Sequence, residues 1–387
     1  MLKITILFVC LFLLVFLRMD FSPEFEYYEC NIVFCRCLMV KMKDVADRAG
    51  VSVATVSNVF TGKHYVSPEV KDRVLKAVEE LNYHINLNAR GLKSSKTKTL
   101  GVVLPDITKQ FFNGVLRGVL DSAEHHGYRV IVLSSYFDYS VERECINSLR
   151  GSNVDGIILD SGCDWHNSDS WANELVSYEG RYTPIVSIEN ILDDSLISSV
   201  TIDVYYWSSK ITEYLISKGK RRILYLSGPL HLKHERDRFS GYKQALKDNG
   251  LKLNDKLLIT GDFSASSAYD ALNSLLQSKT LKFDAIQASN DEAALGALKA
   301  LKEHGVRVPE DIMLCGFDNL FAASLVEPGI TTINVPRYDI GYEAANECIR
   351  HIEEPSLPPR NIVLSSQIIK RASTEVGVDS SWDIFEL

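Results

Sequence analysis

Three polar side chains follow predicted strands, at positions where a small molecule would bind. Asp106 ends "TLGVVLPD", Asn290 ends "FDAIQASN", and Asp318 lies in "GFDN" after another apolar run. Ligands of open α/β sheets bind beyond the carboxyl ends of the strands, and carboxylates and amides hydrogen-bond the hydroxyl groups of a polyol. The same residue types also cap helices, so a capping role stays open for Asp291 and Asp318.

No pattern typical of a catalytic site occurs in the sequence. A G-x-S-x-G motif, a Walker loop and a His/Cys/Asp set at useful spacing are all absent. Four of the eight cysteines lie in the first 40 residues, where Cys35 and Cys37 form a C-x-C without a nearby histidine cluster. We therefore expect no catalytic residue, no cofactor, no bound metal, and reduced thiols rather than a disulfide framework.

The elements that must position the strand-end residues alternate between strands and helices from Thr99 onward. About ten short apolar runs are separated by amphipathic segments such as "FFNGVLRGVLDSAEHHG". Alternating strands and helices imply parallel sheets wrapped by helices. Ten strands are too many for one such sheet, so the sequence predicts two lobes. This body is acidic, since residues 100–387 hold 28 Lys or Arg against 40 Asp or Glu.

A smaller, basic module precedes the acidic body. Residues 39–99 hold eleven Lys or Arg against six Asp or Glu, a local excess that favours nucleic-acid contact. The segment "KDVADRAG" places Val45, Ala46 and Ala49 at helical spacing and ends at Gly50, a natural helix terminator. A first short helix is predicted there.

The next stretch, "GVSVATVSNVF", favours a strand by propensity because it contains four valines. Helical spacing separates the apolar residues from the polar ones better than strand alternation does. Ser52 then caps a helix that turns Val56 and Phe60 inward. A third helix begins at Ser67 and Pro68. Its predicted buried stripe is Val70, Val74, Leu75, Val78 and Leu81. Two short helices joined by a tight turn, with a third behind, make a helix-turn-helix, although a small helical bundle without a DNA role has the same spacing.

These segments are similar to a known family. "MKDVADRAGVSVATVSNVF" and "VSPEVKDRVLKAVEELNYHINLNARGLKSSKTKTLGVVLPDI" resemble the DNA-binding headpiece and hinge of the LacI/GalR family of bacterial transcription regulators. The likeness extends from residue 40 to about residue 375. The resemblance implies that the second helix enters the major groove. It assigns DNA binding to Ser52, Val53, Ala54, Thr55, Ser57, Asn58, Tyr83, Asn86, Ala89 and Leu92.

The chemistry of these side chains suits the assigned roles. Asn58 can bond an adenine edge in bidentate fashion, and Val53 and Ala54 can contact a thymine methyl group. The hydroxyls of Ser52, Thr55 and Ser57 suit phosphates. Many family members carry Arg in place of Asn58, which puts a guanine preference at that step in doubt.

Residues 85–98 are predicted to form the hinge between the two modules. Gly91 weakens a helix there by about 1 kcal/mol relative to Ala. In the family this hinge folds on the operator, and the leucine that matches Leu92 is inserted into the minor groove, where an apolar wedge kinks the duplex. The alternative is that Leu92 is an exposed linker leucine.

The acidic body resembles periplasmic sugar-binding proteins, whose two Rossmann-like lobes close on a small ligand. The predicted fold is therefore a small all-α helix-turn-helix domain followed by a two-lobed α/β domain with two parallel sheets. Lobe one is expected at about 99–204 and 331–352, and lobe two at about 205–330 and 353–375. Position and resemblance together assign effector binding to Asp106, Phe112, Arg238, Asn290 and Asp318. Phe112 either stacks on the ligand or fills the core.

The first 38 residues do not fit this organisation. Their apolar run "ITILFVCLFLLVFL" resembles the h-region of a signal peptide and is short for a membrane span. An export signal, a membrane anchor and translation from a start codon placed too early all explain it. Because "MVKMKDVADRAG" matches the usual start of family members, we expect translation from Met39. The domains are then 1–38 as an extension, 39–84 as headpiece, 85–98 as hinge, 99–375 as effector domain and 376–387 as tail.

Two functions remain in competition. The first is a cytoplasmic transcription regulator, a repressor, that binds palindromic double-stranded operator DNA as a homodimer and responds to a small effector such as a sugar. Dimerisation is expected because one headpiece reads too few base pairs for useful affinity. The second is an exported or membrane-anchored solute-binding receptor. The basic headpiece favours the regulator and no membrane association, since a receptor has no use for a DNA-binding module.

Overall fold

The computed structural model describes residues 40–62, 64–83, 96–162, 175, 177–178, 181–190, 196–278 and 282–375. Two compact units are distinguished, residues 1–86 and residues 87–387. The predictions for the N-terminal extension, for Asn86, Ala89 and Leu92 of the hinge, and for the C-terminal tail lie outside the described residues. Within those ranges, no helix is long and apolar enough to cross a membrane.

Local capping interactions set the ends of the helices in the first unit. These helices are α1 (Met42–Ala49), α2 (Val53–Thr61) and α3 (Pro68–Glu80). Gly50 follows α1 in the left-handed region, at φ 64°, and its N–H donates to the carbonyls of Ala46 and Asp47. The Ser52 hydroxyl accepts a hydrogen bond from the Thr55 amide at 3.1 Å. The helical prediction for the valine-rich stretch is confirmed, because cap and spacing outweigh the β propensity of isolated valines.

The three helices of the headpiece share a small apolar core. Val45, Val56 and Val74 are completely buried there. The predicted stripe on α3 is wrong at Leu75, which is 44% exposed. Val74, which the prediction included, faces the core together with Ala77, since residues three apart lie on the same side of a helix.

The second unit begins with a six-stranded parallel sheet, which together with its helices is lobe one. Its strands are β1 (Thr99–Leu104), β2 (Arg129–Ser134), β3 (Gly156–Leu159), β6 (Ile185–Ile188), β7 (Ser198–Ile202) and β13 (Asn361–Leu364), with a short hairpin of β4 (Ser177–Tyr178) and β5 (Arg181–Tyr182) beside them in the chain. Their spatial order is β13–β7–β6–β3–β1–β2. The helices are α4 (Gln110–His125), α5 (Tyr139–Gly151) and α11 (Arg337–Glu353). Strands β1, β3, β6 and β7 are buried along their whole length, as expected for a parallel sheet covered on both faces.

Lobe two is built on a smaller parallel sheet. Its strands are β8 (Ile223–Ser227), β9 (Leu258–Thr260), β10 (Ala285–Ala288) and β11 (Met313–Cys315), in the order β11–β10–β8–β9. The helices are α6 (Val204–Ser217), α7 (Lys233–Asp248), α8 (Ala265–Ser278), α9 (Asp291–Glu303) and α10 (Phe321–Leu325). Two short strands, β12 (Thr332–Ile333) and β14 (Ile368–Ile369), pair antiparallel. The predicted architecture of two parallel sheets is confirmed.

The last crossing between the lobes occurs later in the chain than the sequence predicts. Residues 353–375 were expected in lobe two, but β13 pairs with β7 in lobe one, with Ile362 opposite Val200. The chain returns to lobe two afterwards, where the Ser373 hydroxyl donates to the Leu314 carbonyl at 2.6 Å. A four-residue apolar strand carries no signal for which of two sheets it joins, so the boundary could not be placed from the sequence.

Helices α4 and α11 cross at two glycines. A Cβ atom on Gly118 would lie 2.0 Å from the Tyr338 carbonyl oxygen, and one on Gly341 would lie 1.9 Å from that of Val115. Any side chain at either position would push the helices apart. The close contact fixes α4, whose first turn carries Phe112 toward the space between the lobes.

Candidate functional site

The side chains of α2 that were predicted to contact DNA are accessible to solvent. Ser52, Val53 and Ala54 are exposed, and Thr55, Ser57 and Asn58 are half-buried. Val53, in the first turn, is 45% exposed although it is apolar, whereas Val56, one turn further along, is fully buried. An apolar side chain held in solvent beside an amide is a suitable surface for a thymine methyl group and an adenine edge.

Two hydroxyl groups are fixed at the start of α2. The oxygens of Ser52 and Thr55 lie 2.9 Å apart in a hydrogen bond, and Ser52 also caps the helix. The first turn of a helix presents free N–H groups and the positive end of the helix dipole, which favour anions. This arrangement suits the phosphate contacts predicted for both residues.

Tyr83 occupies a different environment from the other predicted DNA contacts. Its side chain is only 7% exposed and belongs to the headpiece core. Its ring centroid lies 6.4 Å from that of Phe60. The structure therefore gives Tyr83 a packing role at the end of the headpiece, and a DNA contact by this residue stays a prediction.

A cleft lies between the two lobes. Most of its lining residues follow the carboxyl ends of strands, where the sequence predicted a ligand site. We call it the effector cleft. It is lined by Pro105, Lys109, Phe111, Phe112, Phe137, Asp160, Glu189, His234, Arg238, Asp262, Phe263, Asn290, Glu292 and Asp318.

Arg238 is the buried cation of this cleft. Its guanidinium donates to the Ser289 carbonyl at 3.0 Å and lies 3.7 Å from a carboxylate oxygen of Glu189 and 3.7 Å from one of Asp318. It also stacks 4.4 Å from the centre of the Phe317 ring. Burial opposes its charge, but Asp318 and Glu189, together with the nearby Glu235, outweigh this effect and raise the pKa of Arg238.

Three carboxyl groups converge on the cleft from three strand ends. Asp160 follows β3, Glu189 follows β6 and Asp318 follows β11. Burial raises the pKa of each of them, most strongly for Asp160 and Asp318, and the positive charge of Arg238 offsets only part of the increase. Buried carboxyl groups of this kind are typical of a binding site, where a ligand supplies the missing partners.

The backbone around the cleft is strained at several non-glycine residues. Asp318 has a φ angle of 110°, Glu189 of 64°, Phe137 of 59° and Phe263 of 69°. A positive φ angle is uncommon for residues with a side chain and clusters at ligand sites. Each of these residues is thereby turned toward the ligand space from the end of a strand.

Asn290 both caps a helix and lines the cleft. Its side-chain oxygen accepts from the Ala293 amide at 2.8 Å, and its NH₂ group donates to the Phe263 carbonyl at 3.0 Å. The capping role considered for Asp291 therefore belongs to Asn290. Asp291 lies behind it, accepts from the Leu320 amide at 2.7 Å, and has a pKa raised to about 7 by burial.

Of the predicted effector-binding residues Phe112 and Asp106, only Phe112 lines the cleft. Phe112 is 6% exposed, lines the cleft and belongs to the core, with its ring in an edge-on contact with Phe111 at 5.2 Å. Both roles considered for it are therefore compatible. Asp106 does not line the cleft. Its carboxylate accepts from the Thr108 amide at 2.9 Å and the Thr108 hydroxyl at 2.6 Å, so it shapes the turn before α4.

Several cleft residues were missed in the sequence. Asp160 and Glu189 carry the same signal as Asp318, since each follows an apolar strand, and a systematic search of strand ends would have found them. His234 and Phe263 have no such signal. Their rings stack at 5.7 Å, and burial lowers the pKa of His234 to about 3, so its ring is neutral. Within the described ranges, no group of His, Cys, Asp or Glu side chains is arranged to hold a metal ion.

Comparison with known protein families matches both units. A model of bacterial regulatory proteins of the lacI family matches residues 41–86. A model of periplasmic binding proteins and the sugar binding domain of the LacI family matches residues 97–372. The two matches meet at the hinge predicted from the sequence.

Individual relatives match nearly the whole chain. The HTH-type transcriptional regulator RegA of Clostridium saccharobutylicum is 34% identical over 339 residues, which cover 87% of this chain and 100% of the relative. Catabolite control protein A of Priestia megaterium is 34% identical over 338 residues, which cover 87% of this chain and 99% of the relative.

Two solved structures are similar to this chain over most of its length. The lac repressor dimer bound to operator and the anti-inducer ONPF has a TM-score of 0.77 at 25% identity and covers 87% of this chain and 99% of that one. The complex of the transcriptional regulator CelR with cellobiose has a TM-score of 0.64 at 29% identity and covers 86% of this chain and 99% of that one.

Proposed function

The chain belongs to the LacI family of bacterial regulatory proteins, and from this premise we propose that it is a cytoplasmic repressor that binds a palindromic operator as a homodimer. Its relatives are DNA-binding transcriptional regulators rather than enzymes, in agreement with the sequence prediction. The alternative of an exported or membrane-anchored receptor finds no support among them.

The effector of this regulator is proposed to be a small polyol, such as a sugar, held in the effector cleft. One observation carries the proposal: Arg238 is buried between two carboxylates at the carboxyl ends of strands. Its guanidinium donates to hydroxyl oxygens, and the carboxylates accept from hydroxyl groups. The matching relative in complex with cellobiose supports a saccharide as the ligand class.

Operator binding is proposed to depend on the outer face of α2. Asn58, Val53 and Ala54 supply base contacts, whereas Ser52, Thr55 and Ser57 supply phosphate contacts. One base-reading helix distinguishes only a few base pairs, so two copies related by a two-fold axis are needed for useful specificity.

A binding-site selection with the full chain and random duplex DNA tests this function. We expect a palindromic consensus, and bands of one dimer per site in a mobility-shift titration. Addition of a binding sugar should change the operator affinity. Recovery of no consensus, or of a binding that responds only to salt and not to sequence, would contradict the proposal.

A further inference from the structure

The effector cleft contains more buried carboxylates than buried cations. Asp160 is 4% exposed, and the side chains of Glu189 and Asp318 are 7% and 6% exposed. Of the Lys and Arg side chains that line the cleft in the described residues, only Arg238 is buried to the same degree. Lys109 lies at the rim and is paired with Glu292 at 2.7 Å. If all three carboxyl groups were ionised, the buried set would carry two uncompensated negative charges.

The contacts of Arg238 do not neutralise these carboxylates fully. Both ion pairs have distances of 3.7 Å, which is too long for a hydrogen bond. One oxygen of Glu189 and one of Asp318 are buried without any hydrogen-bond partner. A buried carboxylate oxygen without a hydrogen-bond partner destabilises the folded protein. A ligand donor that enters the cleft can supply the missing hydrogen bond to either atom.

One further described cation, Arg337, lies near the end of β11, where it lowers the pKa of Asp318 and donates to the Asn319 carbonyl at 3.0 Å. It is not among the residues that line the cleft. The stretches that follow β3 and β6 outside the described residues, 163–174 and 191–195, contain no lysine or arginine. His234, which lines the cleft, is kept neutral by burial, since its pKa is lowered to about 3. Burial instead raises the pKa of Asp160, which the neighbouring Glu189 and Glu142 raise further. Burial therefore favours the protonated forms of these carboxyl groups, and a cation bound among them would favour their ionised forms.

We propose that the effector is an amine-bearing polyol, such as an amino sugar, whose ammonium group lies among Asp160, Glu189 and Asp318. The cleft also contains an unpartnered donor, the Nε–H of Arg238, which needs an oxygen acceptor. A ligand with both an ammonium group and hydroxyl groups can donate to the carboxylates and accept from the Nε–H of Arg238. A simple amine can only donate to the carboxylates. This inference rests on the proposed function and narrows its ligand class.

Matched pairs of ligands test the charge assignment. We would titrate the full chain by calorimetry at pH 7 with glucosamine against glucose and galactosamine against galactose, and with N-acetylglucosamine as the neutral amide. At least one amine should bind tenfold or more tightly than its neutral partner. Binding should also release protons, which is measured as a dependence of the heat on the ionisation enthalpy of the buffer.

Variants of the carboxylates make the test specific. Asp160→Asn and Glu189→Gln should each reduce the preference for the amine, because the negative charge is lost while the shape is kept. Glu144→Gln removes an exposed carboxylate of α5 in the same lobe and serves as the matched control, which should keep the preference. Thermal melting confirms that each variant is folded.

The outcomes separate this inference from the proposed function. A neutral sugar that binds as tightly as its amine, or a complete set of amines that do not bind, overturns the charge assignment. An amine preference that is unchanged in both cleft variants overturns the placement among these carboxylates. Operator recognition is measured separately by the binding-site selection, so its failure would reject the regulator while the ligand comparison remained valid.

Discussion

Lys109 of lobe one and Glu292 of lobe two form an ion pair of 2.7 Å across the mouth of the effector cleft. Lys109 precedes the first residue of α4, and Glu292 lies in the first turn of α9. Their side chains are 30% and 23% exposed. Because the two residues belong to different lobes, the pair forms only when the lobes are close together. It therefore favours the closed form of the cleft.

Lys109→Met should weaken effector binding, because closure loses this ion pair. A partly exposed pair contributes modestly, so a loss of ~0.5–1 kcal/mol is expected. Calorimetry on Lys109→Met, Glu292→Gln and the double variant measures the coupling. Lys299→Met is the control, since Lys299 pairs with Glu303 within α9 itself. Fully additive effects of the two cleft variants would show that the pair does not assist closure.

Arg238 and Asp318 should be required for the effector response and not for DNA binding. Arg238→Ala leaves Glu189 and Asp318 buried without their cation, so a loss of stability of ~3–5 kcal/mol accompanies the loss of ligand binding. Asp318→Asn keeps the shape of the site and separates the two effects. Mobility-shift titrations with and without effector should show operator binding that no longer responds. A response within twofold of wild type would mean that the ligand lies elsewhere.

Asn58→Ala should relax the base preference at one position of each half-site. The amide of Asn58 is accessible on α2, and loss of a bidentate base contact costs ~1–3 kcal/mol of discrimination. Binding-site selection with the variant measures the effect. The other positions of the half-site serve as the internal control and should be unchanged. An unaltered consensus at every position would exclude a base contact by Asn58.

The headpiece was the most predictable part of the fold because its signals are local. Gly50, Ser52 and Pro68 mark helix ends by their own conformational and capping chemistry, and each occupies the predicted position. Leu75 was misplaced because helical spacing allows either of two adjacent stripes. Only contact with the other two helices decides that Ala77, and not Leu75, joins Val74 in the core.

The effector domain was predictable in its architecture but not in its details. Each segment shows the alternation of strands and helices by itself. The place of β13 in lobe one depends instead on its pairing with β7, in which Val363 lies opposite Thr201, 162 residues earlier in the chain. The strand-end signal led to two residues that line the cleft, Asp318 and Asn290, whose contact with an effector stays a prediction. It failed for Asp106, since only the turn formed with Thr108 decides that this carboxylate points away from the cleft.

Glu347 is the centre of a buried ionic network that joins α11 to the sheet of lobe one. Its carboxylate is completely buried and accepts from Arg350 at 2.6 Å, from the Ser198 hydroxyl of β7 at 2.9 Å and from Arg360, beside β13, at 2.8 Å. His351 lies 3.1 Å from the same carboxylate. Burial alone would raise the pKa of Glu347, but the hydrogen bonds from Arg350, Ser198 and Arg360 outweigh it and lower the pKa to about 2.

This network should make the stability of the chain sensitive to acid. A carboxyl group whose folded pKa lies below its unfolded value of 4.5 contributes stability that is complete above pH 4.5 and is lost as the pH falls toward 2. The difference corresponds to ~3 kcal/mol. Glu347→Gln should therefore lower the free energy of unfolding at pH 7, with a smaller loss at pH 3, when urea unfolding of the full chain is compared at the two values. Glu144→Gln, at an exposed position, should show neither effect. An equal loss for Glu347→Gln at both pH values would mean that packing, and not the charge of the carboxylate, accounts for the contribution of Glu347.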